Sequence, residues 1–179
     1  MSNKVLVVID YTNDFVAEWG SLTCGVPGQA IDGFIAKTIE EFEGNGDLVI
    51  HTVDVHKPND EFHPETKLFP THNVRDTEGR ELFGDVKEVS DRLGIEVMDK
   101  TRYSAFVGTD LEIRLRARGI DEINLVGVCT DICVLHTAVD AYNKGFKVVV
   151  HEKGVASFDP KGHDWALGHF ENTLGFEVI

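Results

Sequence analysis

The chain has 179 residues, of which 42% are hydrophobic and 27% charged; this is the size and composition of one globular domain and excludes wholesale disorder. Its 17 basic and 31 acidic side chains give a formal net charge of −14, which disfavours nucleic acid and anionic membranes as partners. The longest aliphatic run, Val5–Ile9, is far below the roughly 20 residues that span a bilayer, and no cleavable signal pattern precedes it. The three cysteines, Cys24, Cys129 and Cys133, are too few for a disulfide framework. We therefore expect a cytoplasmic protein with a single domain, residues 1–179.

Short aliphatic runs alternate with helical patterns along the chain. The predicted strands are Val5–Ile9, Leu48–Val53, Ile95–Met98, Ile123–Val126, Phe146–Val150 and Phe176–Ile179. The predicted helices run from Pro27 to Gly44, from a capping box at Thr109 and Glu112 to Gly119, over about Asp131–Lys144, and over His163–Thr173. Continuous apolar strands alternating with helices are typical of a parallel sheet covered on both faces. The pattern predicts a single-domain, three-layer α/β/α fold with a mostly parallel sheet.

Reactive side chains follow four of the predicted strands. Asp10 follows the first strand, Asp54 the second and Lys100 the third, and Cys133 lies just beyond the fourth. Because ligands bind outside the carboxyl ends of the strands in an open α/β sheet, we expect these groups to share one rim. The alternative for each residue taken alone is a structural role, since a free cysteine is commonly a small buried hydrophobe.

The cysteines differ in their sequence surroundings. Cys133 lies in the first turn of a predicted helix, where backbone amides and the helix dipole favour a thiolate. Lys100 would lower the pKa of this thiol further, and Asp10 could accept its proton. Cys24 lies in a loop without such neighbours, so we interpret it as structural. Cys129 is either a second redox partner or, given its position in a tight turn, a residue with a backbone role.

The long irregular stretch from Asp54 to about Thr77 is rich in metal-ligating residue types. They are carboxylates and imidazoles, at Asp54, His56, His63, Glu65 and His72. Asp54 and His56 are two positions apart on extended chain, so their side chains point to the same side. Oxygen and nitrogen ligands without cysteine suit zinc first, and also iron or manganese. The alternative is an acidic, solvated loop that coordinates nothing.

Aromatic side chains lie in the segments that follow the first three strands. They are Phe15, Trp19, Phe69 and Tyr103. Each alone is explained by packing, but together above the rim of a sheet they could form an apolar slot for a flat ring.

Several of these segments together resemble the isochorismatase-like cysteine hydrolases. The matching segments are Val7–Phe15, the Asp54-x-His56 pair, Lys100 and Gly127–Val134. The loop Phe62–Asn73 is similar to that of the bacterial nicotinamidases within this superfamily. The resemblance covers the chain from Val5 to the last strand. One departure is Thr12, where many relatives have glutamine.

The resemblance implies both a sheet order and a set of site residues. It implies a six-stranded sheet in the order 3-2-1-4-5-6 and a homo-oligomer. It implies a catalytic triad of Asp10, Lys100 and Cys133. It implies a divalent metal on Asp54, His56 and His72, with Glu65 bound directly or through water. It also implies a cis peptide before Cys129 and an oxyanion site formed by the backbone amides of Cys129 and Cys133.

The function implied by the resemblance is hydrolysis of the small molecule nicotinamide to nicotinate and ammonia through a cysteine thioester. In this reading the metal binds the pyridine nitrogen, and Phe15, Trp19, Phe69 and Tyr103 contact the ring. One alternative is an amidase of the same superfamily that acts on a ureido or carbamoyl substrate, which offers no ring nitrogen to a metal. A more remote alternative is a metal-binding or small-molecule-binding protein without catalytic activity. Isochorismate hydrolysis is disfavoured, because vinyl-ether cleavage needs no thiol.

Overall fold

The computed structural model describes residues 3–179, so the first two residues of the predicted domain lie outside the described part. Six parallel strands form one sheet in the order β3-β2-β1-β4-β5-β6, which confirms the predicted order. The strands are β1 (Lys4–Ile9), β2 (Leu48–Asp54), β3 (Glu96–Lys100), β4 (Glu122–Val128), β5 (Lys147–Ala156) and β6 (Glu177–Val178).

Helices cover both faces of the sheet. They are α1 (Asn13–Val16), α2 (Val26–Ala30), α3 (Asp32–Gly44), α4 (Gly84–Leu93), α5 (Leu111–Ala117), α6 (Leu135–Asn143) and α7 (Pro160–Asn172). Alternate residues of β1 point to opposite faces, as the pleat requires: Val5 and Val7 enter one apolar cluster, and Leu6 and Val8 enter the other. The first cluster is completed by α5, α6 and α7, and the second by α3 and α4. The fold therefore has the predicted three layers.

The helices differ from the predicted ones in several places. Helix α4 was not predicted, although Val86, Val89 and Leu93 recur along it at helical spacing. The predicted capping box at Thr109 and Glu112 is wrong: α5 has Asp110 at its N-cap, and the Glu112 side chain pairs with a lysine instead. Helix α7 begins three residues earlier than predicted, at Pro160.

Helix α7 starts early because Asp159 caps it, accepting a hydrogen bond from the backbone N–H of Lys161 at 3.0 Å. The predicted third helix is also divided, since a π-helical turn, Thr130–Val134, precedes α6. Among residues 3–179, no helix is both long and apolar enough to cross a bilayer.

The centre of the sheet brings two strand ends unusually close together. Gly127, with φ +118°, lies against β1, and a Cβ at this position would be 2.0 Å from the Ile9 carbonyl oxygen. Only glycine fits such an approach. Ile9 and Gly127 are paired residues in the β1–β4 register, one and six residues before Asp10 and Cys133 respectively. The switch in strand order at β1 and β4 thus brings Asp10 and Cys133 to the edge of the sheet where the strands have their carboxyl ends.

Candidate active site

The structure brings together the three residues that were predicted as a catalytic triad. Lys100 Nζ lies 2.8 Å from Asp10 Oδ2 and 3.5 Å from Cys133 Sγ. The three residues are at most 4% exposed. They come from three different strand ends, at β1, β3 and β4, as predicted.

Backbone geometry aims Asp10 into this cluster. Asp10 has a left-handed backbone with φ 52°, and its Oδ1 accepts a hydrogen bond from the backbone N–H of Asp54 at 2.7 Å. The N–H of Asp10 in turn donates to the Thr52 carbonyl at 3.0 Å. The carboxylate is therefore fixed by the neighbouring strand β2, with its second oxygen directed to Lys100.

Asp54 is part of the same buried cluster. Its Oδ1 accepts a short hydrogen bond from Lys100 Nζ, which leaves two carboxylates around one ammonium group. Burial, and then the charge of Asp10, raise the pKa of Asp54 to about 7 despite the opposing effect of Lys100. Burial disfavours the charged form of Lys100, but Asp10 and Asp54 outweigh it and raise its pKa. Lys100 is thus a fixed positive charge beneath the site.

The protonation of Cys133 differs from the expected thiolate. Burial, and then the charge of Asp10, raise the pKa of the Cys133 thiol, and the opposing effect of Lys100 is smaller. The prediction of a lowered pKa was therefore wrong, because the sequence does not reveal that the sulfur is completely enclosed beside a carboxylate. The raised pKa favours a protonated sulfur beside the Asp10 carboxylate.

The turn that carries Cys133 has an unusual backbone. Residues Thr130–Val134 form one π-helical turn, and the Val128–Cys129 peptide is cis, as the resemblance implied. The Cys129 carbonyl accepts hydrogen bonds from the N–H groups of Ile132 at 3.1 Å and Val134 at 3.2 Å. Cys129 is therefore a backbone anchor of this turn. Its part in an oxyanion site, with the amide of Cys133, stays a prediction.

A second group of ligating side chains lies in the long loop after β2. His56 Nε2 is 3.9 Å from Glu65 Oε1, and His72 Nε2 is 3.4 Å from Glu65 Oε2. One ligand atom from each of these three buried residues lies within 4.8 Å of the others, a spacing at which they could hold one metal ion. Burial works to raise the pKa of Glu65, but the hydrogen bonds and charges of the two histidines lower it to about 2.

The histidine tautomers fit a metal centre. His56 Nδ1 donates to the His72 carbonyl and His72 Nδ1 donates to the Pro70 carbonyl, both at 2.7 Å. Since a carbonyl can only accept, each ring carries a proton on Nδ1, which leaves Nε2 as the nitrogen that could bind a metal in place of a proton. His72 Nε2 is buried without a hydrogen-bond partner in the described chain, as is Asp54 Oδ2. Such unpaired buried atoms are costly unless a ligand satisfies them.

The structure therefore brings three of the four predicted metal ligands together and places the fourth with Asp10 and Cys133. Asp54 groups with Asp10 and Cys133, whereas His56, Glu65 and His72 form the separate trio. The unpaired Oδ2 of Asp54 is the atom left for a metal, since Oδ1 is engaged by Lys100. The role of Asp54 as a ligand stays a prediction.

Two residues of this loop have a positioning role that was not predicted from the sequence. His63, a candidate ligand in the sequence, accepts a hydrogen bond from the Glu65 N–H and contacts the Thr101 carbonyl through Nε2, so both ring nitrogens are engaged. It caps the 3₁₀ turn Pro64–Lys67, for which His-Pro was an available signal. Asn73 was not identified at all.

Asn73 connects the loop that carries His56 to the segment that follows Asp10. Its carbonyl accepts from the His56 N–H at 3.0 Å, its N–H donates to Asp14 Oδ2 at 2.7 Å, and its Oδ1 accepts from Thr12 Oγ1 at 2.8 Å. Asn73 is fully buried with a left-handed φ of 45°. Thr12, the departure noted in the sequence, is thus the partner of an asparagine that adjoins His72.

The four predicted ring-binding aromatics are not equally placed. Phe15 packs edge-on against His72 with ring centroids 5.2 Å apart, and Phe69 lies 6.5 Å from the same ring. Tyr103 is half-buried, its ring lies 5.2 Å from that of His136 on α6, and burial raises its pKa. Trp19 is 59% exposed, and its contact with a ligand stays a prediction.

A cavity of about 50 Å³ opens beside the trio, lined among others by His56, Glu65, Phe69 and His72. This volume holds a few waters or an ion with its hydration shell. The arrangement as a whole places a thiol, a carboxylate base and a lysine next to a nitrogen and oxygen ligand set.

Comparisons with known proteins agree with this geometry. A curated isochorismatase family protein named PncA from Bacillus subtilis (strain 168), itself described as uncharacterized, is 56% identical over 179 residues, 98% of each chain. The crystal structure of a nicotinamidase/pyrazinamidase PncA from Bacillus subtilis is 55% identical, with a TM-score of 0.97 over 99% of each chain. The structure of a pyrazinamidase from Pyrococcus horikoshii in complex with zinc is 29% identical, with a TM-score of 0.87 over 99% of each chain. The Isochorismatase domain matches residues 4–179, and this chain therefore belongs to the isochorismatase family.

Proposed function

We propose that this protein is a nicotinamidase, which hydrolyses nicotinamide to nicotinate and ammonia. The observation that carries the proposal is the position of Lys100 Nζ, 2.8 Å from the Asp10 carboxylate and 3.5 Å from the Cys133 sulfur. The similarity to a nicotinamidase/pyrazinamidase at 55% identity supports the substrate class. A thiol, a base and a cation in contact are the groups that covalent hydrolysis of an amide requires.

The first half of the reaction forms a thioester. Asp10 removes the Cys133 proton as the sulfur attacks the carboxamide carbon, so the C–S bond forms while the carbonyl oxygen takes up negative charge. The amides of Cys129 and Cys133 stabilise this oxygen, an interaction that typically contributes about 2.7–4 kcal/mol per donor. Asp10 then returns the proton to the nitrogen, the C–N bond breaks, and ammonia leaves.

The second half releases the acid. Asp10 removes a proton from water, which attacks the thioester carbon, and the C–S bond breaks. The sulfur recovers its proton and nicotinate is released. Because burial raises the pKa of Cys133, proton transfer accompanies attack rather than preceding it.

Lys100 compensates the charges that move during these steps. It is completely buried and ion-paired with Asp10 and hydrogen-bonded to Asp54, so it remains positive throughout. Its distance of 3.5 Å from Cys133 Sγ lets it stabilise the sulfur as negative charge develops there. It thus acts as an electrostatic residue, while Asp10 moves the protons.

The ligand trio would hold a divalent metal. His56, Glu65 and His72, with Asp54 Oδ2, offer two imidazole nitrogens and carboxylate oxygens, a set that suits zinc and also iron or manganese. When bound, such a metal supplies a Lewis-acid site for the pyridine nitrogen of the substrate. Phe15 and Phe69 pack beside His72 and would contact the ring, with Tyr103 and Trp19 completing the slot.

The test is ammonia release from nicotinamide and pyrazinamide, compared with N-carbamoyl compounds. We expect turnover of the two ring amides, abolished in Cys133→Ala and retained in Cys24→Ala, which removes a different buried cysteine. Turnover of N-carbamoyl compounds alone would contradict the proposal and indicate a ureido amidase. If none of these compounds is hydrolysed, the protein is a binding protein without this activity.

A further inference from the structure

Two cysteines outside the triad lie in direct contact. Cys24 Sγ and Cys129 Sγ are 3.2 Å apart, although the residues are 105 positions apart in sequence. Both are free thiols, and they are 4% and 5% exposed. One S–H donates to the other sulfur, so the two sulfur atoms already face each other in direct contact.

The backbone holds both sulfurs in place. The Cys24 N–H donates to the Phe15 carbonyl at 2.8 Å, and its Cβ would touch a methyl group placed at Gly28, so the segment fits tightly against α1 and α2. Cys129 directly follows β4. Both cysteines belong to the apolar cluster under α3 and α4. A disulfide has an S–S distance of about 2.05 Å, so the two sulfurs need to approach by only about 1 Å.

We propose that Cys24 and Cys129 are a redox modification site, which a peroxide or a small disulfide converts to a reversible disulfide. With a peroxide, one thiol becomes a sulfenic acid and one water is released. The other sulfur then attacks it, the S–S bond forms, the S–O bond breaks and a second water leaves. The two thiols lose two electrons and two protons, and the peroxide is reduced to water.

The cross-link would join the loop of residues 17–25 to the turn that carries Cys133. The Cys129 carbonyl accepts from the N–H groups of Ile132 and Val134, on either side of Cys133. A shift of Cys129 toward Cys24 therefore moves the backbone that positions the nucleophile. This consequence rests on the proposed function, whereas formation of the bond does not.

We expect oxidation of this pair to be slow at neutral pH. The hydrogen bond between the two sulfurs, and then burial, raise the pKa of the Cys129 thiol, and only the thiolate reacts rapidly. The pair thus responds to sustained oxidation.

The bond itself is tested in Cys133→Ala, where Cys24 and Cys129 are the only cysteines of the chain. The folded protein is incubated with hydrogen peroxide or oxidised glutathione, unfolded, alkylated and digested for mass spectrometry. We expect neither thiol to be alkylated, and we expect a linked peptide that joins positions 24 and 129. Dithiothreitol should reverse both changes. Two thiols that remain alkylatable, or separate oxidised sulfurs without a linked peptide, overturn the proposal. The matched Cys24→Ser/Cys133→Ala protein must give no intramolecular link.

The functional consequence is tested in the protein with Cys133 intact. We expect oxidation to lower nicotinamide turnover about tenfold, in a form that dithiothreitol restores, since a displaced oxyanion donor costs up to 10²–10³. Cys24→Ser should lose this reversible part while keeping its turnover before oxidation. A linked peptide without any change in turnover overturns the effect on the active site. An absence of turnover before oxidation contradicts the proposed function, but the detection of the Cys24–Cys129 disulfide by mass spectrometry is still valid.

Discussion

Lys100 Nζ and Asp10 Oδ2 form an ion pair of 2.8 Å in which neither side chain is exposed to solvent. Moving such charges out of water is costly, and each is stable only because the other is present. The pair therefore contributes to folding and, in the proposed function, to chemistry. Its loss and the loss of the nucleophile should have different effects, which separates the two roles.

Removal of the nucleophile should abolish activity without unfolding the protein. We expect Cys133→Ala to lower ammonia release from nicotinamide by about 10³-fold or more, since the covalent step is lost. Cys24→Ala, a matched change in the other apolar cluster, should keep most of the turnover. Normal turnover in Cys133→Ala would contradict the assignment of Cys133 as the nucleophile.

Removal of the buried ammonium should destabilise the fold. We expect Lys100→Met to lower the free energy of unfolding by about 3–5 kcal/mol, because two buried carboxylates, Asp10 and Asp54, lose their counter-charge. Urea denaturation measures this change. Lys87→Met, on an exposed pair with Asp91, should change it by no more than about 0.5 kcal/mol. Adding Asp10→Asn to Lys100→Met should recover part of the loss, and strictly additive effects would argue against coupling.

Removal of a metal ligand should affect binding more than chemistry. We expect His72→Ala to lose bound metal and to raise KM for nicotinamide strongly, because the ring would lose its positioning group. Metal content is measured by elemental analysis after purification. His169→Ala, a half-buried histidine on α7, is the control. A chelator should reproduce the His72→Ala kinetics, and an unchanged KM after chelation would show that the trio has no part in substrate binding.

The link between Thr12 and Asn73 can be tested with an isosteric pair of variants. Thr12→Val removes the hydroxyl that donates to Asn73 Oδ1, so a buried acceptor is left unpaired at a cost of about 1–3 kcal/mol. Thr12→Ser keeps the donor and should be close to the original protein. Because Asn73 also binds the His56 N–H, we expect weaker metal affinity in Thr12→Val than in Thr12→Ser, measured by chelator competition. Equal metal affinities would limit Asn73 to a structural role.

Acid should destabilise the protein partly through His51. Burial lowers the pKa of this histidine to about 4 from 6.5, and its Nδ1 has no partner within residues 3–179. Between pH 6.5 and 4 the unfolded chain binds the proton and the folded chain does not. Stability from this group is therefore complete above pH 6.5 and falls with decreasing pH, by up to about 3 kcal/mol.

This pH dependence is measured by urea denaturation of His51→Gln, which can retain a hydrogen bond to Ser90 Oγ. We expect a flatter profile between pH 6.5 and 4 than for the original protein, with His169→Gln as the control. Parallel profiles for all three proteins would show that His51 is not a source of the acid sensitivity.

The positions of the reactive groups could be predicted because they follow directly from chain order. Continuous apolar runs define the strands, and Asp10, Lys100 and Cys133 come at or just after their ends, so a parallel sheet must gather them at one rim. The grouping of His56, Glu65 and His72 could be expected for a similar reason, since carboxylates and imidazoles are concentrated in the loop that follows β2. Helix α4 could also have been predicted, because Val86, Val89 and Leu93 recur along it at helical spacing.

What the sequence could not reveal are properties that depend on enclosure and on contacts between distant segments. The pKa of Cys133 is raised by complete burial, which no local pattern reports. The bonds from Asn73 to Asp14 and Thr12 span about 60 residues, and the contact between Cys24 and Cys129 spans 105. Each becomes visible only when the loops are folded against each other.

Gly127 allows the strand ends that precede Asp10 and Cys133 to approach each other closely. Because it has no side chain, the β4 backbone lies directly against Ile9, and a larger residue here would push the ends of β1 and β4 apart. A side chain at position 127 would therefore change the position of Asp10 relative to Cys133. In the proposed function, the path for proton transfer between these two residues thus depends on the absence of a Cβ atom at position 127.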